Sequence, residues 1–363
     1  MNKQNLSRVS SCSLLFLLLL SACSFPGQIS TSAQLPSVIQ KQVNPELPAI
    51  SFPRDEGVHN DLTEWWYYTG HLEATDTVGK QHHYGFEFVI FRVSRSDLPP
   101  VYPAHFAISD ITRDEFHYDQ NRVTKVKEDI ASKGIDIQVG NWSMQGLNGH
   151  DHLVAAMKDY TMNLSLTANK PPVLHNGNGL ITYGLAGFSY YYSRTHMQVA
   201  GSIIDHDQAL HVTGLAWMDH QWGNFLTLGS GWDWYSIQLK NSTEMMIYII
   251  RDSSGAVIST YASYIDATGK DVILSPTEIH VKAIDTWFSK MTGITYPSGW
   301  HLDVNSSQLQ ATLTVKPLLK DQELIVKPST GNIYWEGAVN VQGKLGGSAI
   351  DGQGYVELTG YSR

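Results

Sequence analysis

Past residue 60 the chain is written as short runs of aromatic and β-branched residues cut by turn signals, a pattern of strands rather than helices. HYGFEFVIFRV (83–93), WYSIQLK (234–240), EMMIYIIR (244–251) and YVELTGY (355–361) are such runs. LNGH (147–150), HNGNG (175–179), SSG (253–255) and ATGK (267–270) interrupt them. No convincing amphipathic run exceeds about three turns, so the pattern predicts an all-β chain with little helix. One run, EWWYYTG (64–70), sets four large rings in a row. Alternate side chains of a strand face opposite ways, so Trp65 and Tyr67 share one side while Trp66 and Tyr68 share the other. Either both sides are buried, or one looks into an aromatic-walled cavity.

Internal echoes predict a duplicated frame. GSIID (201–205) matches GSAID (347–351), and each is followed by a strand containing Thr-Gly, HVTGLAW (211–217) and YVELTGY (355–361). WWYYTGHL (65–72) likewise matches DWYSIQL (233–239), with an acid, Glu64 or Asp233, just before or at the aromatic pair. Both copies lead to a strand reaching an arginine, Arg92 or Arg251, expected to pair with that acid. Two units of about 130–150 residues each suit one antiparallel barrel or sandwich apiece. The expected boundaries are 49–223 and 224–363.

Composition narrows the class. With 42% hydrophobic and 16% charged residues the chain is globular, and a net charge of -9 without a basic patch excludes nucleic acid as a partner. Lys3 and Arg8 precede LLFLLLL (14–20), an apolar run too short to span a bilayer. Leu20-Ser21-Ala22-Cys23 then resembles a bacterial lipobox, which implies a signal peptide over 1–22, lipidation of Cys23 and a flexible tether over 23–48. An ordinary signal peptide cut nearby is the alternative. Ser24, by similarity to enterobacterial lipoproteins, points to the outer membrane and the periplasm. Cys12 and Cys23 are the only cysteines, so no disulfide is expected in the mature chain.

No G-x-S-x-G elbow, H-E-x-x-H helix or phosphate loop is present. His82-His83 and His150-Asp151-His152 lie beside turn signals and read as solvated loop histidines, so neither metal nor cofactor is expected. Chemistry concentrates in GLAWMDHQWGNF (214–225), where Trp217 and Trp222 bracket Asp219 and His220. On a strand His220 and Trp222 share a face and Asp219 and Gln221 share the other. An acid kept neutral by an apolar pocket can donate a proton, and indole faces can stabilise a cation. Equally, Asp219 and His220 can pin the junction between the units by hydrogen bonds. In GSGWDWYS (229–236), Asp233 between Trp232 and Trp234 reads first as a barrel-closing rim. The ligand-pocket candidates are Glu64, Trp65, Trp66, Tyr68, Trp217, Asp233 and Trp234.

EWWYYTGHL, AHFAISD, YSRTHM, GLAWMDHQWG, GWDWYSIQL, YPSGWHLDV and YWEGAV with GYVELTGY together resemble the AttH-like/carotenoid 1,2-hydratase family, from about residue 50 to the C-terminus. The resemblance implies two tandem lipocalin-like antiparallel β-barrels. It also implies, in the hydratase branch, water added across an isoprenoid double bond by protonation of carbon and capture of the cation. His220 and Trp222 match that branch, as does Tyr248, but Ile250 stands where its acid is expected. Other members work beside MacB-like ABC transporters. The first expectation is therefore a lipid-anchored periplasmic protein holding a hydrophobic or amphipathic small molecule. The alternative is an enzyme of the hydratase type, with Asp219 as acid, His220 as its partner, and Trp222 and Tyr248 lining the cation's position.

Overall fold

Strand pairing follows the period-two pattern closely. The computed structural model describes residues 47–362 apart from 96–97, 125, 127–133, 184–186 and 226–230; the expected signal peptide, Cys23 and nearly all of the tether lie outside them. Its described helices are two single-turn 3₁₀ segments, Arg54–Glu56 and His175–Gly177. The rest of the regular structure is antiparallel strand, in two large sheets.

The first sheet runs, in spatial order, Glu115–Val123, Leu98–Asp110, Gln81–Arg95, Thr63–Thr75, Gln208–Phe225, Gly187–Asp205, Tyr160–Ala168, His150–Met157, Trp142–Leu147 and Ile135–Val139. Its two ends come together where Asn121 Nδ2 donates to the Val139 carbonyl oxygen at 3.3 Å, so this sheet is nearly closed into a barrel. The second sheet is ordered Asp271–Leu274, Val257–Ile265, Glu244–Arg251, Gly231–Leu239, Ser348–Leu358, Asn332–Leu345, Gln310–Pro317, Trp300–Asn305 and Ile279–Ala283. Each sheet centres on one member of the aromatic echo. Thr63–Thr75 pairs with both Gln81–Arg95 and Gln208–Phe225, and Gly231–Leu239 pairs with both Glu244–Arg251 and Ser348–Leu358.

Both sides of EWWYYTG are buried, each for its own reason. Trp66 and Tyr68 point into the first barrel, where they meet Phe88, Phe106, Trp142 and Met218. Trp65 and Tyr67 point out of it, towards Trp217, Trp234 and Tyr355 in a cluster shared by the two sheets. The second copy keeps this alternation, with Trp234 in the shared cluster and Tyr235 in the core of the second sheet. Glu64 and Asp233 both sit on the inner side, but they end differently. Asp233 accepts from Arg251 at 2.9 Å, as expected. Glu64 faces Arg92 in register yet takes up two imidazoles, described below.

The other echo does not survive at the level of structure. GSIID closes Gly187–Asp205 before its hairpin turn, whereas GSAID straddles the start of Ser348–Leu358 after one. The equivalent elements are the hairpins themselves, and turn-rich pentapeptides recur wherever two long strands must reverse.

Residues 47–59 fill the open end of the first barrel. Leu47, Ile50 and Phe52 pack on its core, and Tyr190 donates to the Pro48 carbonyl oxygen at 2.6 Å. Trp66 Nε1 donates to the Glu56 carbonyl oxygen at 3.1 Å, and Glu56 is ion-paired with Arg194. The barrel interior is thus occupied by protein.

The two sheets are in tight contact at Gly85. A Cβ there would lie 2.5 Å from Ala338 Cβ and 2.6 Å from the Tyr355 hydroxyl, far inside contact distance. Gly85→Ala is expected to lower stability by about 1–3 kcal/mol through overpacking, read as a lower denaturant midpoint. An unchanged midpoint would mean that the sheets slide apart at no cost.

Candidate functional site

Register alone assembles two facing walls. On the outer face of the first sheet Ser193, Asp219, Tyr67, Val89 and His105 form one row, and Tyr191, Gln221, Trp65 and Phe91 form the next. Opposite them, Tyr248, Trp234, Glu357 and Glu336 form a row across the second sheet. Between these walls lies a cavity of about 740 Å³ bounded by Trp65, Tyr67, Tyr183, Trp232, Trp234 and Tyr248, with Asp219, Glu357 and Asp252 as its carboxyl groups, the last held in its own turn by the Ser254 and Ala256 amides. That volume suits one medium-sized apolar molecule, and ring faces are the surface a developing cation needs.

Asp219 is held rigidly. Trp217 Nε1 donates to its Oδ1 and the Tyr191 hydroxyl to its Oδ2, each at 2.6 Å, and the Ser193 hydroxyl also donates to Oδ1. Burial nevertheless pushes its pKa up to about 6 against those three donors. Tyr191 in turn accepts from Trp234 Nε1 at 3.2 Å, which ties the acid's hydroxyl partner to the facing sheet. Behind Ser193 stands His175, whose Nε2 lies 2.7 Å from the serine oxygen. Burial lowers His175 to about 3, so its ring is neutral and donates to Ser193.

Glu357 is set up differently. It accepts one hydrogen bond, from Trp232 Nε1 at 2.8 Å. It is partly exposed, and the space it faces is the cavity. Burial among apolar rings raises its pKa to about 7, with the charge of Asp219 adding to the rise. The cavity therefore holds two acids that ionise in the neutral range, one gripped by three donors and one by a single indole. Sequence reasoning missed Glu357. Its signal was a lone acid in YVELTGY, on the strand that pairs with the tryptophan-rich Gly231–Leu239.

Several expectations need correction. Asp219 and His220 are not partners, because adjacent strand residues point to opposite faces of the sheet. Asp219 faces the cavity, while His220 and Trp222 face the barrel interior. Tyr248 lines the cavity, so it shares no site with Trp222. Glu64, Trp66 and Tyr68 are also inside the barrel; Tyr68 donates to Asp151 at 3.0 Å. Trp217 is buried behind Asp219 rather than lining the cavity, and Asp233 turns away from it to Arg251 and to Tyr361 at 3.0 Å. Of the pocket candidates, Trp65 and Trp234 line the cavity, with Tyr67 and Trp232 beside them.

The inner cluster is a separate feature. Glu64 Oε1 lies 2.7 Å from His59 Nδ1 and 2.9 Å from His220 Nε2, and the Glu64 carboxyl also accepts from the His59 amide at 3.0 Å. Burial opposes a charge on His59, but hydrogen bonds to Asp55 and Glu64 outweigh it and hold the ring near 9. His220 is lowered to about 4 by burial. Rings stack around them, His59 on Trp222 at 4.0 Å and Trp66 on His220 at 4.7 Å. Two imidazoles and a carboxylate within 4.8 Å have the donor types of a metal site. Their spacing is that of hydrogen bonds, however, and each imidazole has a second partner: Asp55 at 3.5 Å for His59 and the Tyr192 hydroxyl at 3.3 Å for His220. The network is closed without an ion and fastens the 47–59 plug to the barrel. The paired histidines lie on strands rather than in loops: His82 is buried and meets Asp76 at 3.2 Å, and His152 meets Asn163 at 2.8 Å.

Comparison with known proteins is consistent with this architecture. The sequence is 22% identical to a kievitone hydratase of Fusarium solani subsp. phaseoli over 365 residues, spanning 94% of this chain and 98% of that protein. The fold matches the crystal structure of an AttH candidate from Nitrosomonas europaea with a TM-score of 0.76 and 33% identity, over 87% of this chain and 98% of the other. A kievitone hydratase structure from Nectria haematococca shares the fold, with a TM-score of 0.68 at 18% identity over 87% and 94% of the two chains. Residues 42–361 match the family described as AttH-like, and the chain belongs to that family.

Proposed function

We propose that this protein is an enzyme of the hydratase type, adding water to or removing it from an apolar substrate in the cavity between its two sheets. The observation that carries this reading is the pair of carboxyl groups, Asp219 and Glu357, facing one aromatic-walled cavity with different hydrogen-bond environments. A pure binding pocket for an apolar molecule gains nothing from two acids set among its rings, since each costs desolvation. The kievitone hydratase relative supports the reaction class.

In this reading protonated Glu357 gives its proton to a substrate carbon. The developing cation is faced by Trp65, Trp232, Trp234 and Tyr248, and Asp219 supplies the fixed negative charge that favours it. Water then adds to the cation and loses a proton to Asp219; the dehydration runs the same steps in reverse. Because the two acids interact, the limbs of the pH profile belong to the pair. The rate is expected to peak between about pH 6 and 7, falling below as Asp219 is protonated and above as Glu357 ionises. A flat profile from pH 5 to about 9 would rule out this acid–base pair.

A lipid anchor at Cys23, a place at the periplasmic face of the outer membrane and a MacB-like transporter as partner are proposed from the N-terminal sequence and the family resemblance alone. The substrate would then be met in the cell envelope, where apolar molecules partition. Metabolic labelling with a fatty acid, followed by Cys23→Ala, tests the anchor: label lost from the variant supports it, and label retained refutes it.

A further inference from the structure

Behind the cavity wall lies a line of buried polar groups that the proposed reaction does not yet use. Glu336 is the direct cross-strand neighbour of Glu357, so their side chains stand on the same face. Glu336 accepts from the Tyr67 hydroxyl at 2.8 Å, and Glu87, from the first sheet, meets the Tyr334 hydroxyl at 3.2 Å. Both acids are 1% exposed, and each has a second oxygen, Oε2, with no hydrogen-bond partner. Glu336 feels the charge of Glu357, Glu87 and Asp219. Like charges this close in an apolar site cannot all ionise, so protons are retained among them.

Beyond Glu87 the line continues as alternating donors and acceptors. The Tyr334 hydroxyl lies 2.7 Å from His105 Nδ1, and His105 Nε2 lies 2.9 Å from the Ser329 hydroxyl. Ser329 is 3.0 Å from the Val326 carbonyl oxygen, and its amide donates to partly exposed Gln120 at 3.0 Å. This chain can be satisfied in two directions. With Glu87 protonated, the hydrogen bonds run from Glu87 to Tyr334, to His105 Nδ1, and from His105 Nε2 to Ser329 and Val326. With Glu87 ionised, they run from Ser329 through His105 and Tyr334 to the carboxylate. Shifting one proton along the chain converts one arrangement into the other, and burial keeps His105 neutral and free to pass it.

We propose that Ser329, His105, Tyr334, Glu87 and Glu336 form a proton path that recharges Glu357 from the protein surface. The groups facing this path are Asp219, Tyr67 and Tyr355, in addition to its own members. After Glu357 has protonated the substrate, Glu336 passes it a proton, Glu87 replaces that one, and a solvent proton taken up at the Ser329 hydroxyl oxygen replaces the last through His105 and Tyr334. The proton left on Asp219 by the adding water returns to solvent, so one water is consumed and the enzyme ends unchanged. The inference rests on the reading of Glu357 as the acid, but its test needs no substrate.

The infrared carbonyl stretch of protonated carboxylic acids in the intact protein reads it directly. At pH 7 the wild type should show such a band, reduced in Glu336→Gln and in Glu87→Gln, and shifting promptly in deuterated water. Tyr334→Phe, which removes one oxygen from the path, should keep the band but slow its deuterium shift. A missing band at pH 7, or an unaltered exchange rate in Tyr334→Phe, overturns the path. Those results would leave the role of Glu357 standing; full activity of Glu357→Gln with the band and its slowed exchange intact would instead sink the catalytic reading alone.

Discussion

Glu357→Gln is expected to reduce turnover by about 10²–10⁴-fold, the usual contribution of a positioned general acid, while KM changes little. Gln keeps the shape of the side chain and can still accept from Trp232 Nε1, so the cavity wall is preserved. The sign of the stability effect is a second check on the same variant. The folded-state pKa of Glu357, about 7, lies above its ordinary value of 4.5, so its contribution is fully present below about pH 4.5 and is lost as pH rises through 7. Removing the ionisable group removes that loss, so the variant should melt no lower than the wild type at pH 8. A catalytically dead variant with an undiminished Tm would separate chemistry from folding. Loss of activity together with a collapse of Tm would return Glu357 to a structural role.

The second large effect concerns the plug. Arg194 and Glu56 form a buried ion pair, and the other Glu56 oxygen accepts from the Asn148 amide at 2.7 Å. Glu56→Gln leaves an arginine buried without its countercharge, and such a broken pair typically costs about 3–5 kcal/mol. The loss should appear as a lower denaturant midpoint in the first barrel, together with faster proteolysis of residues 47–59. Replacing both partners with apolar residues of similar volume should recover much of it, because the penalty lies in the uncompensated charge rather than in the missing contact. A single substitution that left the midpoint within about 0.5 kcal/mol of the wild type would show that the plug is not fastened there.

Much of this fold was written in the alternation of the sequence. The rings of EWWYYTG had to face two ways, and both faces proved buried, one in a barrel and one against the second sheet. With Glu64 matched to Asp233, Trp65 falls opposite Trp234 in the echo of DWYSIQL, and both line the cavity. Asp219 stood out because an acid among tryptophans is expensive unless it has a use. The same alternation already separated Asp219 from His220; pairing them by adjacency overrode it.

What stayed hidden depended on contacts between distant segments. Glu357 is an unremarkable single acid until Gly231–Leu239 is placed beside its strand and Asp219 across from it. His59 precedes the first strand in a stretch without periodicity, so nothing local announces that it meets Glu64 and stacks on Trp222. Glu87 and Glu336 sit on different sheets, and their proximity follows from sheet packing, which no short pattern records. Cavities are made by the pairing of walls, and the sequence lists each wall separately.

Incubating the purified protein with a panel of isoprenoid and phenolic alkenes in water carrying heavy oxygen tests the central claim most directly. Mass spectrometry of the products is expected to show one alkene gaining a single heavy-oxygen water in the presence of the wild type and not of Glu357→Gln. Alkenes that bind the cavity and quench its tryptophans but never gain that water, or a Glu357→Gln protein that adds it as fast as the wild type, would contradict the account.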